Sequence, residues 1–321
     1  MSNRAPAGVS ATRVIRLTVP VDLAQTLGPL RRGPGDPCVR ISSREVFRAT
    51  RTLHGPATMR LEQDPSGKTI SAETWGPGSE WSLEHAPELV GADDDDAPFA
   101  VALDGPDFPG RSALRELRKH FMGLRMSRTL AVVEALVPTI LEQKVTGVEA
   151  HRAYRGLVLA FGEPAPGPAE VTAGLMVPPS PHVLASQPYW AYHRFGIERK
   201  RADTIRLVCS YASRLEKLAA LAGEDAREGL MSLPGIGPWS AAEVAVRALG
   251  DPDAVSVGDY HLPHQVAWVL TGAARGDDET MLRLLEPVRG QRGRAIRLIE
   301  ASGKMAPRRG PRMPIRSIRD I

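Results

Sequence analysis

The chain has few cysteines, and long apolar runs are absent from its sequence. Its 321 residues include only Cys38 and Cys209, which stand far apart. Two cysteines exclude a disulfide framework and a four-cysteine zinc or iron–sulfur site. No stretch approaches the roughly 18 apolar residues of a membrane-spanning helix, and the first 21 residues lack the apolar core of a secretory signal. We therefore expect a cytoplasmic protein with no membrane partner.

Lysine and aromatic residues are also scarce. Of 41 basic residues 35 are arginine, which binds phosphate with two parallel hydrogen bonds and so does it better than lysine. A GC-rich genome would give the same excess of arginine. The net charge of +4 is weak evidence for a nucleic-acid partner. An aromatic content of 5% within 42% hydrophobic residues fits a helix-rich globular protein, and the length predicts two domains.

The first hundred residues contain short strand patterns separated by turns. We predict strands at residues 14–19, 38–41, 57–62 and 68–73, with the last two joined in a hairpin by the turn Asp64-Pro65-Ser66-Gly67, and a helix at 22–30. These elements predict a small α+β domain over residues 1–107. The acidic run at 93–96 is interpreted as a solvated loop near the domain boundary, because four adjacent carboxylates cannot converge on one metal ion.

From about Arg111 the apolar period becomes helical, which predicts an all-α domain over residues 108–303 followed by a basic extended tail at 304–321. A Pro/Gly-rich loop is expected at 163–181, and the basic tail either touches a nucleic-acid backbone or is simply solvated. Predicted helices cover residues 112–122, 130–145, 148–161, 181–186, 199–221, 226–232, 238–249, 262–270, 277–285 and 294–301.

A tight turn between two of these helices is the most informative segment. Residues 233–237 read LPGIG, and Pro238 opens the next helix where its missing N–H costs nothing. Two glycines let the backbone turn sharply and present N–H groups to a phosphate. A purely structural turn is the alternative for such a motif alone. However, a carboxylate, Asp259, follows 22 residues after Gly237 in the sequence VGDY.

The hairpin at 233–241 together with residues 258–260 resembles the helix-hairpin-helix DNA glycosylase superfamily, and most of all its alkylpurine branch, the 3-methyladenine DNA glycosylase II type. Residues 140–146, ILEQKVT, are similar to the branch's segment that carries a wedge for probing the duplex. The order of a strand-rich and then a helical domain fits as well. The resemblance implies a monomeric enzyme of base excision repair that hydrolyses the N-glycosidic bond of alkylated purines such as 3-methyladenine and 7-methylguanine in double-stranded DNA.

The resemblance also implies roles for particular residues. It implies Asp259 as the catalyst, which stabilises an oxocarbenium-like state or positions a water. It implies no cofactor and no metal held by side chains, but it allows a monovalent cation at the backbone of Met231, Leu233 and Ile236. The implied base contacts are Trp239 and Tyr260, and the implied DNA contacts are Leu233, Gly235, Ile236, Gly237, Gln143 and Lys144.

Each of these residues also has a structural interpretation. Asp259 can cap the following helix, Trp239 can pack in a core, and Gln143 and Lys144 can be solvated at a helix end. Glu142 is a less favoured catalytic helper, and Asp251 and Asp253 are interpreted as loop residues.

Three features depart from the resembled families. Bifunctional members carry a lysine where this chain has Trp239, and no lysine stands between Lys217 and Lys304, so we predict no lyase reaction. The branch often has an apolar residue where Lys144 stands. Residues 289–303 hold four arginines instead of aromatics, which predicts a wider or more polar pocket.

The aromatic cluster at 189–192 is interpreted as core packing rather than as a replacement pocket wall. Two alternatives to alkylpurine release stay open: a glycosylase for deaminated or bulky adducts, and a DNA-damage binding protein without turnover.

Overall fold

A computed structural model of the chain describes residues 11–307, and its first part is built on a five-stranded antiparallel sheet. The strands lie in the order β1-β5-β4-β3-β2. The predicted hairpin is confirmed, because β4 and β5 pair on either side of the turn at 64–67. The strands are β1 (Ala11–Arg16), β2 (Val39–Ile41), β3 (Glu45–Thr52), β4 (Gly55–Gln63) and β5 (Thr69–Trp75).

Strand β3 was not among the predicted strands. It pairs with β4 from Glu45 to Thr52. The sequence of β3 does not show the usual alternation of apolar and polar residues, because Arg48 and Thr50 are buried. Both bond to the carboxylate of Glu134, which lies outside the sheet. A polar partner supplied by a distant segment therefore replaces the apolar residues that strand patterns rely on.

The rest of the described chain is mainly helical, as the sequence predicts. The region from 111 to 301 contains the longer helices. Two short strands in this region, β6 (Glu163–Pro164) and β7 (Met176–Val177), pair with each other. The helices are α1 (Leu23–Leu27), α2 (Ser79–Glu84), α3 (Ala86–Leu89), α4 (Ala97–Asp104), α5 (Arg111–His120), α6 (Val132–Glu142), α7 (Gly147–Phe161), α8 (Ala169–Thr172), α9 (Pro181–Ser186), α10 (Tyr189–His193), α11 (Arg199–Ser210), α12 (Ala212–Leu215), α13 (Gly223–Met231), α14 (Pro238–Val244), α15 (Leu262–Thr271), α16 (Asp278–Leu285) and α17 (Arg292–Ala301).

The largest hydrophobic core surrounds α6. Leu136, Ile140 and Leu141 of this helix are fully buried in a cluster that also contains Ile205 of α11 and Val244 of α14. Burial on nearly all sides explains why α6 is mostly apolar, with Glu134 and Glu142 as its charged residues. This core fixes the end of α6 relative to the hairpin between α13 and α14.

Two further cores flank the first. One lies between the sheet and the short helices α1 and α3, with Leu27 and Leu61 among its members. The other joins α4 and α5 to α15, α16 and α17, through residues such as Phe99, Val266 and Ile299.

Three predicted elements need correction. The helix expected at 199–221 breaks after Ser210, and Glu216 accepts hydrogen bonds from Val132 N–H (2.8 Å) and Val133 N–H (3.0 Å), capping α6. The loop expected at 163–181 contains β6, α8 and β7. In the acidic run Asp94 is buried against Arg294 rather than solvated (2.5 Å).

The predicted domain boundaries stay predictions, and most of the predicted tail, residues 308–321, lies outside the described residues. Between residues 11 and 307, no helix is both long enough and apolar enough to cross a bilayer.

Candidate functional site

The hairpin between α13 and α14 places its two glycines differently. Gly235 has φ +89°, and a Cβ there would come within 2.7 Å of Thr204 Oγ1 on α11. Gly237 has an ordinary φ of −103° and serves as the N-cap of α14. No atom lies within 4 Å of where a Cβ on Gly237 would stand. Gly235 is therefore required by the fold, whereas Gly237 leaves the surface in front of α14 open.

Ile236 stabilises the turn from inside. Its side chain is buried in the main core, and its N–H donates to the Leu233 carbonyl (3.1 Å). Its side chain is therefore not on the surface with which DNA would make contact. Leu233 is half-buried, while Met231 is exposed at the end of α13.

Asp259 lies between the start of α15 and the start of α14. Its Oδ1 accepts hydrogen bonds from the N–H groups of His261 (2.7 Å) and Leu262 (2.8 Å), and its Oδ2 accepts one from Trp239 Nε1 (3.0 Å). The capping interpretation and the link to the hairpin therefore both describe this carboxylate. Three donors from two helices fix its orientation, and the group stays half-buried.

The two proposed base contacts differ in exposure. Trp239 is half-buried in the first turn of α14, with its indole edge held by Asp259. Tyr260 is 76% exposed, and its ring lies edge-on to those of His261 (4.9 Å between centroids) and His264 (6.5 Å). Trp239 therefore lies beside the carboxylate, and Tyr260 stands on the outer rim.

The segment after α6 is attached to the hairpin. Gln143 Nε2 donates to the carbonyl of Gly235 (3.0 Å) and to Ser240 Oγ of α14 (2.9 Å). The next residue, Lys144, is exposed and adopts a left-handed conformation with φ +56°, which is uncommon outside glycine. Thus Gln143 is not a solvated helix end, because its side chain is bound to the hairpin, and the exposed Lys144 follows it directly in the chain.

Other carboxylates close to this region are engaged in ion pairs. Glu142 binds Arg32 (2.9 Å), Asp251 binds Arg227, and Asp253 binds Arg292. These pairs support the interpretation of Asp251 and Asp253 as loop residues and leave Asp259 as the carboxylate beside Trp239.

The sequence interpretation missed three side chains that hold the loop before Asp259. Ser256 Oγ donates to Glu243 Oε1 (2.5 Å), and the N–H of Gly258 donates to Asp278 Oδ2 (3.0 Å). Glu243 stands four residues after Trp239 on α14, so helical spacing was the available signal for it. Ser256 and Asp278 carry no comparable signal in the sequence.

The four arginines expected to make the pocket more polar do not stand as free charges. Each is bound to a carboxylate: Arg294 to Asp94, Arg292 to Asp253, Arg289 to Glu286 and Arg297 to Glu300. The wider or more polar pocket expected from these residues stays a prediction.

The aromatic cluster in α10 is only partly core. Tyr192 is fully buried and its hydroxyl donates to the Leu184 carbonyl (2.5 Å), as predicted, but Trp190 is 74% exposed. Within the described part of the chain, no three His, Cys, Asp or Glu side chains come together in a way that would hold a metal ion.

Comparisons with known proteins agree with the fold and with the resemblance to DNA glycosylases. No protein-family profile matches the chain. It is 34% identical over 144 residues to the probable bifunctional transcriptional activator/DNA repair enzyme AlkA of Mycobacterium tuberculosis, covering 44% of this chain and 28% of that protein. It is 23% identical over 164 residues to the putative DNA-3-methyladenine glycosylase YfjP of Bacillus subtilis, covering 50% and 55% of the two chains. The chain thus spans about a quarter to a half of the length of these relatives.

Solved structures establish the fold over nearly the whole chain. The 3-methyladenine DNA-glycosylase from Archaeoglobus fulgidus superposes with a TM-score of 0.72 at 21% identity, covering 90% of this chain and 97% of that one. The 8-oxoguanine glycosylase/lyase of Clostridium acetobutylicum gives 0.66 at 12% identity, covering 90% and 95%. The predicted fold class is confirmed, and the chain has the fold of these DNA glycosylases.

Proposed function

We propose that the protein is a monofunctional DNA glycosylase that hydrolyses the N-glycosidic bond of alkylated purines in double-stranded DNA. The observation that carries this proposal is the contact of Asp259 with Trp239, which fixes a carboxylate beside an aromatic ring at the mouth of the hairpin (3.0 Å). The choice of substrate is supported by the similarity to a putative DNA-3-methyladenine glycosylase and to a probable DNA repair enzyme.

The residues have distinct tasks under this proposal. Backbone N–H groups around Gly237 at the start of α14 hold a phosphate of the damaged strand. Lys144 projects beside the hairpin and occupies the space left by the extruded base, or holds a neighbouring phosphate. Extrusion costs a few kcal/mol of unstacking, which a damaged base reduces.

The extruded base stacks on Trp239. An alkylated purine carries positive charge, and an electron-rich indole attracts a cation. Such a base is also a good leaving group, so protonation by a strong general acid is unnecessary. Asp259 stabilises the positive charge that develops on the sugar and positions the attacking water.

No lyase step is expected. A Schiff base with the sugar needs an amine at the position of Trp239, and the indole nitrogen there donates its hydrogen to Asp259 instead. The product is therefore an intact abasic strand.

Base release from methylated DNA tests the proposal. Wild-type protein is expected to release free 3-methyladenine and 7-methylguanine, and Asp259→Asn to be at least about 100-fold slower, because a fixed electrostatic group at the reacting centre is worth that much. Asp22→Asn is the matched control, since Asp22 also caps a helix (2.9 Å to Gln25 N–H) but belongs to α1.

Each negative result has its own meaning. Absence of release by the wild type, with binding retained, would indicate a damage-binding protein. Release of hypoxanthine or a bulky adduct instead would indicate another glycosylase specificity. Equal rates for wild type and Asp259→Asn would refute the catalytic role. Strand cleavage before alkali treatment would contradict the monofunctional assignment.

A further inference from the structure

Helix α14 is attached at two points to the loop that carries Asp259. Trp239 Nε1 donates to Asp259 (3.0 Å), and Ser256 Oγ donates to Glu243 (2.5 Å). Trp239 and Glu243 are four residues apart, so they lie on one face of the helix, one turn from each other. The loop from 256 to 259 is therefore held along a full turn of α14.

Ser256 controls the backbone of Asp259 directly. It is buried, and its carbonyl accepts the N–H of Asp259 (3.2 Å), which closes the loop into a turn. Gly258 inside this turn has φ +91°. A displacement of Ser256 would therefore displace the main chain of Asp259.

Glu243 is kept as a charged acceptor by its neighbours. Burial alone would raise the pKa of its carboxyl, but the charge of Arg247 and hydrogen bonds from Ser256 and Arg247 outweigh burial and lower it. Arg247, four residues further along, forms an ion pair with Glu243 and also donates to the Pro29 carbonyl (3.4 Å). The acceptor for Ser256 is thus itself fixed.

We infer that Glu243, acting through the hydroxyl of Ser256, is a positioning residue that holds the Asp259 carboxylate in its reactive orientation. This inference rests on the proposed function. It assigns Glu243 no contact with substrate. The consequence of losing it is a slower chemical step at unchanged affinity for DNA, because the hairpin surface remains intact.

Removal and restoration of one hydroxyl tests this role. Ser256→Ala is expected to lower the single-turnover rate of base release about tenfold, with the dissociation constant for abasic-analogue DNA changed less than twofold. Ser256→Thr keeps the hydroxyl and should recover most of the rate. Ser210→Ala is the matched control, because that hydroxyl donates to a helix carbonyl on α11 (2.7 Å).

A double-mutant cycle separates the linked path from independent effects. Glu243→Gln alone should also slow the chemical step, and adding it to Ser256→Ala should cost much less than the product of the two single effects. In addition, the indole N–H resonance of Trp239, assigned with Trp239→Phe, should shift in Ser256→Ala and stay in place in Ser210→Ala.

The outcomes distinguish this inference from the function on which it rests. A wild type that releases no base overturns both. Base release that depends on Asp259 but is unchanged in Ser256→Ala, or that falls without recovery in Ser256→Thr, overturns only the positioning role. A loss confined to DNA affinity overturns it as well.

Discussion

Trp239 combines two functions in one side chain. Its ring supplies an aromatic surface, and its N–H supplies the only side-chain donor to Asp259 among the contacts of residues 11–307. Because the indole edge is anchored, the ring cannot turn without releasing the carboxylate. Under the proposed function, stacking of the base and orientation of the Asp259 carboxylate are therefore coupled at this residue.

Substitution of Trp239 by phenylalanine separates these functions. Trp239→Phe keeps an aromatic face and deletes the N–H, so we expect base release to slow about 10- to 100-fold, the equivalent of a hydrogen bond to a charged group worth ~1.5–3 kcal/mol. Affinity for abasic DNA should be unchanged. Trp190→Phe, on an exposed tryptophan, serves as control. A rate equal to wild type would show that the hydrogen bond has no catalytic role.

At the residue scale, the sequence predicts which individual residues belong to the site better than it predicts the contacts between them. Asp259 and Trp239 are recognisable because their spacing from the glycines is set by the local chain. The bonds of Gln143 to Gly235 and Ser240 join positions about 90 residues apart, and no local pattern encodes them. The same holds for Ser256 and Glu243, whose contact depends on how the loop folds back on α14.

At the scale of elements, the two glycines of the hairpin differ in what they are needed for: one allows the turn to fold, and the other leaves space for a phosphate to approach α14. Gly235 has a left-handed conformation and packs against Thr204, so a side chain there is both strained and crowded. Gly237 has neither constraint. The same substitution should therefore lower stability at Gly235 and weaken DNA binding at Gly237.

Paired alanine variants test this division. Gly235→Ala is expected to lower the free energy of unfolding by about 1–3 kcal/mol, the range for a strained backbone position. Gly237→Ala should leave unfolding nearly unchanged but weaken DNA binding, because its methyl group would occupy the approach of the phosphate. Urea unfolding and DNA titration at fixed salt measure the two effects. Equal destabilisation by both variants would contradict the assignment.

Two of the differences between the predicted and the observed elements share a cause. Strand β3 turns Arg48 and Thr50 toward Glu134 of α6, and the helix predicted to 221 ends early while Glu216 caps α6. In both cases a polar side chain is needed by a distant helix, and this tertiary demand overrides the local pattern. The elements whose apolar stripe serves their own core, such as α9 and α15, begin and end close to the predicted positions.

At the scale of the whole molecule, a buried ion pair joins distant parts of the chain. Arg294 of α17 donates to both oxygens of Asp94, at 2.8 Å and 2.5 Å, and Asp94 also accepts the N–H of Met126 (3.0 Å). Both side chains are almost fully buried. This pair fixes the acidic run at 93–96 against the last described helix.

Removal of one partner should be costly. Asp94→Ala leaves the Arg294 guanidinium buried and unpaired, so we expect a loss of about 3–5 kcal/mol in the free energy of unfolding. The control is Glu286→Ala, which breaks the exposed pair with Arg289 and should leave the urea midpoint unchanged. Equal midpoints for Asp94→Ala and wild type would show that the pair does not hold the two segments together.

The bond from Gln143 to the hairpin also sets a length. Under the proposed function, the phosphate bound at Gly237 and the base pair met by Lys144 are held a fixed distance apart, because Gln143 joins the two surfaces without an intervening flexible segment. The protein then probes the duplex at a fixed spacing: it holds the backbone at one phosphate and tests whether a base at a set distance from it leaves the stack. At this step weakly stacked bases are selected because they are easier to extrude, before any base contacts Trp239.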